Sequence, residues 1–283
     1  MRKMAERMAA YRKRPGSLVL FLLTVFSAFL VCLTLLLIVG YILVKGLPNL
    51  KLSLFAWEYT SENVSMLPAI INTITTTLIA LGAAVPVGVC AAVYLVEYAK
   101  RGSRLVALIR ITAETLSGIP SIVYGLFGFL VFFVTFRWGY SLLGGALTLA
   151  IMILPLVMRT TEEALLSVPD SYREGSFGLG AGKLYTIFKV VLPSAIPGIL
   201  AGVILGVGRI VGETAALLYT AGSVAGVPSN WLGSGRTLAV HMYNLLSEGL
   251  YTNQSYATAL VLLVLVAGIN ALSSLVAKKL TKR

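Results

Sequence analysis

YREGSFGLGAGKLYTIFKVVLPSAIP, residues 172–197, is a polar, glycine-punctuated insert between two long apolar runs, 141–158 and 195–221. It opens on acidic and basic residues, passes Gly178, Gly180 and Gly182, and closes on Val-Val-Leu-Pro before apolar sequence resumes. Glycine at every second position does not sustain a helix, because each one loses backbone entropy on ordering and accepts left-handed dihedrals. The spacing predicts a short helix over 171–177, a turn over 178–182 and a second short helix over 183–191. Pro193 and Pro197 bracket re-entry into the bilayer. A compact helix-turn-helix on one side of a membrane protein suits docking to a soluble partner.

Of the 283 residues, 58% are hydrophobic and 12% charged, with a mean hydropathy of +0.89. A soluble domain carries roughly 25% charged residues, so the chain reads as an integral membrane protein. The net charge of +12 does not mark a nucleic-acid binder, because it is distributed asymmetrically. Seventeen of the 23 Lys and Arg lie before residue 15, at 100–104, at 159–189 and in the tail 278–283. The opposite set of inter-span segments carries only Lys45, Lys51, Arg137 and Arg236. This is the positive-inside pattern, and it places both termini in the cytoplasm. Cys32 and Cys90 lack CxxC spacing and a neighbouring histidine, so they read as buried small apolar residues rather than a disulfide or metal site.

The pattern predicts an all-α membrane domain over 18–277, with spans at 18–44, 67–98, 105–136, 141–158, 195–221 and 256–277. External loops fall at 45–66 and 222–255, a cytoplasmic loop at 159–193 and a basic tail at 278–283. In the leading segment 1–17, Met1, Met4, Met8 and Tyr11 share a helical face among basic residues. That reads either as an interfacial amphipathic helix or as a basic topology signal. The first span is too long for a signal-peptide core and lacks an Ala-x-Ala site. The second carries Asn72, Thr73, Gly82, Pro86 and Gly88, small and hydroxylated residues that face protein rather than lipid, with a kink expected at Pro86. Gly118-Ile119-Pro120-Ser121 breaks the third. Upstream of that break Arg110 and Glu114 stand four residues apart, on one helical face. They read as an ion pair near the cytoplasmic surface, with a gating role as the alternative. Spans two to five are expected to form the packed centre. Outside, Trp57 and Tyr59 suit the membrane interface, and Leu238, Met242 and Leu245 fall on one helical face. His241, the only histidine, supports neither metal binding nor acid–base chemistry and reads as a loop hydrogen-bonding residue.

The fifth span holds the most informative chemistry. Gly198, Gly202 and Gly206, then Gly208 and Gly212, recur at intervals of four and allow close helix contact. Between them sit Arg209 and Glu213, predicted one turn apart and deep in the membrane. Charges at that depth cost on the order of several kcal/mol unless they face a cavity or each other. Two readings stand. The pair neutralises itself and locks helix packing, or with Thr214 it lines a translocation path. An arginine fork suits a phosphate-like oxyanion, and a nearby glutamate keeps such binding weak.

The polar insert resembles the "EAA" loop of ABC importer permeases. Glu174-Gly175-Ser176, Gly180 and Val190-Val191-Leu192-Pro193 keep its register, with small residues for the two alanines and valine for isoleucine. Gly118-Ile119-Pro120-Ser121-Ile122-Val123-Tyr124-Gly125-Leu126-Phe127-Gly128 is similar to the third-span signature of phosphate-specific ABC permeases. So is Pro86-Val87-Gly88-Val89 leading into Tyr94-Leu95-Val96-Glu97-Tyr98. Arg209-Ile210-Val211-Gly212-Glu213-Thr214-Ala215-Ala216 resembles the PstA-type subunit, with Ala216 where that type usually has proline. The resemblance implies a type I (MetI-like) importer permease for inorganic phosphate in the inner cell membrane. It implies a PstC-type permease partner, a PstB-type ATPase pair carrying ATP and Mg, and an extracytoplasmic PstS-type binding protein. Lipid surrounds the chain, and the chain itself carries no cofactor and no P-loop. Glu174, Gly175, Ser176, Gly180, Leu192 and Pro193 would form the ATPase-coupling loop. The rivals are a permease for another oxyanion, molybdate or sulfate, and an ion-coupled secondary transporter in which Arg209 and Glu213 titrate protons. An intramembrane enzyme lacks its His/Cys/Asp constellation.

Overall fold

Gly118 and Pro120 cut the third apolar run in two. The computed structural model describes residues 15–100 and 102–281 and is helical along every apolar run. α1 spans Pro15–Gly46, and α2 spans Leu67–Val93, closing in a π-helical turn, Tyr94–Tyr98. α3 (Arg104–Ser117) and α4 (Ser121–Gly128, extended by the π-helical Phe129–Thr135) are the halves of the broken run, bent by 101°. α5 is Leu142–Leu166 and α6 is Asp170–Gly178. α7, Lys183–Thr186, passes through a π-helical turn, Ile187–Val191, into α8, Leu192–Val211. α9 (Ala215–Thr220), α10 (Leu238–Glu248) and α11 (Thr252–Thr281) complete the order. Five helical stretches are long and apolar enough to cross a membrane, and the α3–α4 pair makes a sixth when taken as one span. The amphipathic face expected of Met1, Met4, Met8 and Tyr11, and the last two residues of the basic tail, lie outside the described residues.

Burial is uneven along the apolar helices. In its most apolar window α5 is 67% buried, whereas the corresponding window of α1 is 0% buried. α2 and α8 pack along α5, and α4 closes over the centre with α9. Ala80, Ala84, Leu149, Ile153, Ile210 and Leu217 meet in the middle cluster. The hydroxylated face of α2 points inward: Asn72, Thr73, Thr76 and Thr77 are buried. Burying a hydroxyl is tolerable when it is hydrogen-bonded. Thr73 and Thr77 donate to the carbonyls one turn back, each at 2.7 Å. Thr73 Oγ1 also accepts from Leu238 N at 2.8 Å, and Asn72 Nδ2 donates to Gly226 O and Arg236 O at 3.0 and 3.1 Å. The 222–255 segment is thus stitched to the N-terminal end of α2.

Three expectations are corrected. Cys32 and Cys90 are exposed rather than buried: the runs that hold them turn those faces outward. The fourth span continues through Pro155 to Leu166; its polar last turns stay helical because Glu162 is engaged by α3. His241 belongs to a helix, not a loop, and is fully buried.

Candidate functional site

The 172–197 insert folds as its glycines dictate. α6 ends at Gly178, and Gly180 takes φ +85°, a left-handed conformation open to glycine at little cost. Ser176 Oγ meets Thr186 Oγ1 at 2.8 Å in a buried contact that fixes α6 against α7. A small residue is required there. At Gly175 a methyl group would meet open space, so alanine fits equally well. Glu174 and Pro193 are exposed, while Leu192 is partly buried and packs against the cluster that holds Leu165, Val191 and Ala195. Leu179 is 91% exposed, and Tyr172, Phe177 and Tyr185 are also exposed. Beside them Gly175, Leu179, Gly180, Tyr185 and Val190 line a concavity of about 640 Å³. Large apolar residues exposed around a concavity mark a protein-binding surface.

The fifth apolar run departs from its predicted form. It is two helices: α8 ends at Val211 and α9 starts at Ala215. Glu213 falls in the break, where its Oε1 accepts from Ala216 N at 3.1 Å and caps α9. A proline at 216 would have no N–H to give. Of the two readings, the mutually neutralising Arg209–Glu213 pair is not formed among the described residues. Among the described residues Arg209 makes no ion pair and is partly exposed. Across from it on α4, the Tyr124 hydroxyl donates to Leu116 O at 2.8 Å. Thr214 stands at the N-cap position of α9 without a side-chain cap bond. The glycines of the third-span signature have a partner here. A methyl group on Gly125 would lie 2.8 Å from Ala216 Cα, and one on Gly128 would overlap Thr148 Oγ1.

Arg110 and Glu114 do not pair with each other either. Arg110 Nε donates to Glu162 Oε1 at 2.7 Å, and Glu114 faces Arg159 at 3.7 Å. Both partners come from α5, because the inward face of α3 is turned toward that helix. A second tie, Arg173 to Glu97, leaves no mark in residue spacing, since 76 residues separate the two. In the 222–255 segment Arg236, 5% exposed, stacks 4.5 Å over the Tyr59 ring, and Tyr59 lies edge-on to His241. Burial, then the Arg236 charge, hold the His241 imidazole down to about 3. It is a neutral packing residue. Among the described residues no cluster of His, Cys, Asp and Glu could hold a metal ion.

Residues 84–283 match the family described as binding-protein-dependent transport system inner membrane component. The probable ABC transporter permease protein YqgI of Bacillus subtilis is 34% identical over 86% of this chain and 90% of its own length. Phosphate transport system permease protein PstA 1 of Mycobacterium tuberculosis is 35% identical, over 76% of this chain and 71% of its own length. Among solved structures, a bacterial ABC transporter involved in alginate import aligns with a TM-score of 0.62 at 17% identity, covering 97% of this chain and 99% of its own. The MetNI methionine ABC transporter aligns at 0.59 and 20%, over 76% and 94%. These two likenesses concern the fold. The chain belongs to the family of inner-membrane components of binding-protein-dependent transport systems.

Proposed function

We propose that this chain is the PstA-type permease subunit of an ATP-driven importer of inorganic phosphate in the inner cell membrane. A multi-pass permease of this family works with an ATPase and a binding protein; here these would be PstB-type and PstS-type, with a PstC-type second permease. The observation that carries the reading is the likeness to PstA permeases along most of the chain. Two features agree with it. The concave, apolar 172–193 loop offers Glu174, Gly175, Ser176, Gly180, Leu192 and Pro193 as the ATPase-coupling surface. Among the described residues Arg209 has no carboxylate partner, and the α8–α9 break at Gly212–Thr214 follows it in the chain. An unpaired guanidinium is suited to a transient hydrogen-bonded contact with a tetrahedral oxyanion. Glu213, engaged as a cap, holds the break open, and Thr214 offers a free hydroxyl. An even number of spans with basic segments on one side supports cytoplasmic termini.

Reconstitution of the chain with its permease, ATPase and binding-protein partners in proteoliposomes tests the proposal. ATP-dependent phosphate uptake is expected, and Arg209→Gln lowers it about tenfold or more, the worth of a charged hydrogen bond, without disassembly. Normal uptake by Arg209→Gln removes the arginine from the path. Uptake without the ATPase replaces the importer with an ion-coupled transporter, and preference for molybdate or sulfate over phosphate reassigns the substrate.

A further inference from the structure

The 172–193 loop is joined by the chain itself to α5 and α8, but not to α2. Two loop side chains nevertheless reach the π-helical turn that ends α2. From α6, Arg173 Nε and Nη2 donate to Glu97 Oε1 at 3.0 and 2.8 Å. The same guanidinium donates to Leu165 O at 3.0 Å, Val168 O at 2.8 Å and Asp170 Oδ1 at 3.2 Å. Carbonyls at the end of a helix lack intrahelical partners, so one side chain both closes the end of α5 and holds the end of α2. Arg173 and Glu97 side chains are only 15% and 10% exposed. Shielding and the paired donors distinguish this contact from a surface ion pair, which contributes little. From α7, Lys183 Nζ stands 4.6 Å from the centroid of the Tyr98 ring, a cation–π contact.

Both grips therefore fall inside Tyr94–Tyr98, a π-helical turn, a geometry rare in regular helices and frequent at functional sites. Alongside, Cys90, Tyr94, Tyr98, Phe188 and Leu192 line an apolar gap of about 330 Å³ between α2 and the exit of the loop. The gap leaves the two elements free to shift while the grips hold.

We propose that Arg173–Glu97 and Lys183–Tyr98 make residues 94–98 a transmission joint that delivers displacement of the loop to α2, as the chain delivers it to α5 and α8. The inference rests on the importer reading. Glu97 and Arg173 are positioning residues. With the joint cut, ATPase-driven movement of the loop reaches α5 and α8 while α2 lags, and ATP is hydrolysed with less substrate moved.

The test uses the full complex in proteoliposomes and reads phosphate moved per ATP hydrolysed, with assembled complex quantified by co-purification of the ATPase. Glu97→Gln is expected to co-purify normally and to lower that ratio about 5- to 20-fold, within the range of allosteric couplings. Glu97→Asp, which keeps the charge, recovers part of the ratio, and Tyr98→Leu lowers it less. A native ratio in both Glu97→Gln and Tyr98→Leu overturns the joint. A loss that merely follows the amount of assembled complex also overturns it, since the pair then only stabilises the fold. If the native chain shows no ATP-dependent uptake, the importer reading fails and the joint falls with it; native uptake with unaltered variants sinks the joint alone.

Discussion

His241 shows what a single buried residue does to the pH response. In the unfolded chain its imidazole titrates at its ordinary value of 6.5, whereas in the fold it is held to about 3. Between those values the unfolded chain binds a proton that the native protein does not, so stability falls as pH drops below about 6.5. The slope approaches about 1.4 kcal/mol per pH unit, or roughly 2 kcal/mol lost at pH 5. Thermal unfolding in detergent between pH 7.5 and 5 is expected to show this decline and to show less of it in His241→Gln. Identical slopes would mean that other groups dominate the acid limb. None of this was legible beforehand. The helical face of Leu238, Met242 and Leu245 could be read from spacing, but the burial of His241 depends on Arg236 stacking over Tyr59 and on the approach of Val64, contacts that come from distant segments.

Helix against helix, the glycines decide how closely elements approach, and they differ sharply. A methyl group at Gly125 would press on the Ala216 backbone, which has no rotamer to retreat into. Gly125→Ala should therefore cost about 1–3 kcal/mol through overpacking, seen as a lower melting temperature of the solubilised protein. Gly175→Ala, in the open on α6, should be neutral or gain up to about 1 kcal/mol from helix propensity. Equal effects at the two sites would refute the packing account. The loop, its turn at Gly180 and the break before Pro120 were legible because glycine and proline act locally. The break at Gly212–Thr214 was not, since a four-residue interval between Arg209 and Glu213 also fits an unbroken helix. In retrospect Gly212 followed by Glu213 and Thr214 is a helix stop beside a helix start. The π-helical turns left no signal, because they depend on packing rather than on residue type.

In the whole molecule, α1 packs chiefly on α11. Gly46 lies where a Cβ would stand 2.8 Å from Tyr256 O and 2.9 Å from Leu260 Cβ, and the Tyr41 and Tyr256 hydroxyls meet at 3.1 Å. Gly46→Leu is expected to loosen this seam and to let limited proteolysis in detergent release an α1 fragment before the rest is cut; an unchanged digestion pattern would show that the seam tolerates the bulk. The seam also joins two segments made far apart in time. Tyr41 and Tyr256 are 215 residues apart, an interval that a ribosome covers in roughly 10–40 s at about 5–20 residues per second. Through that interval α1 waits in the membrane for α11 to be made. Closure of the bundle's edge therefore waits on the synthesis of α11, and a transcript cut short before it yields a core without the helix that α1 chiefly packs on.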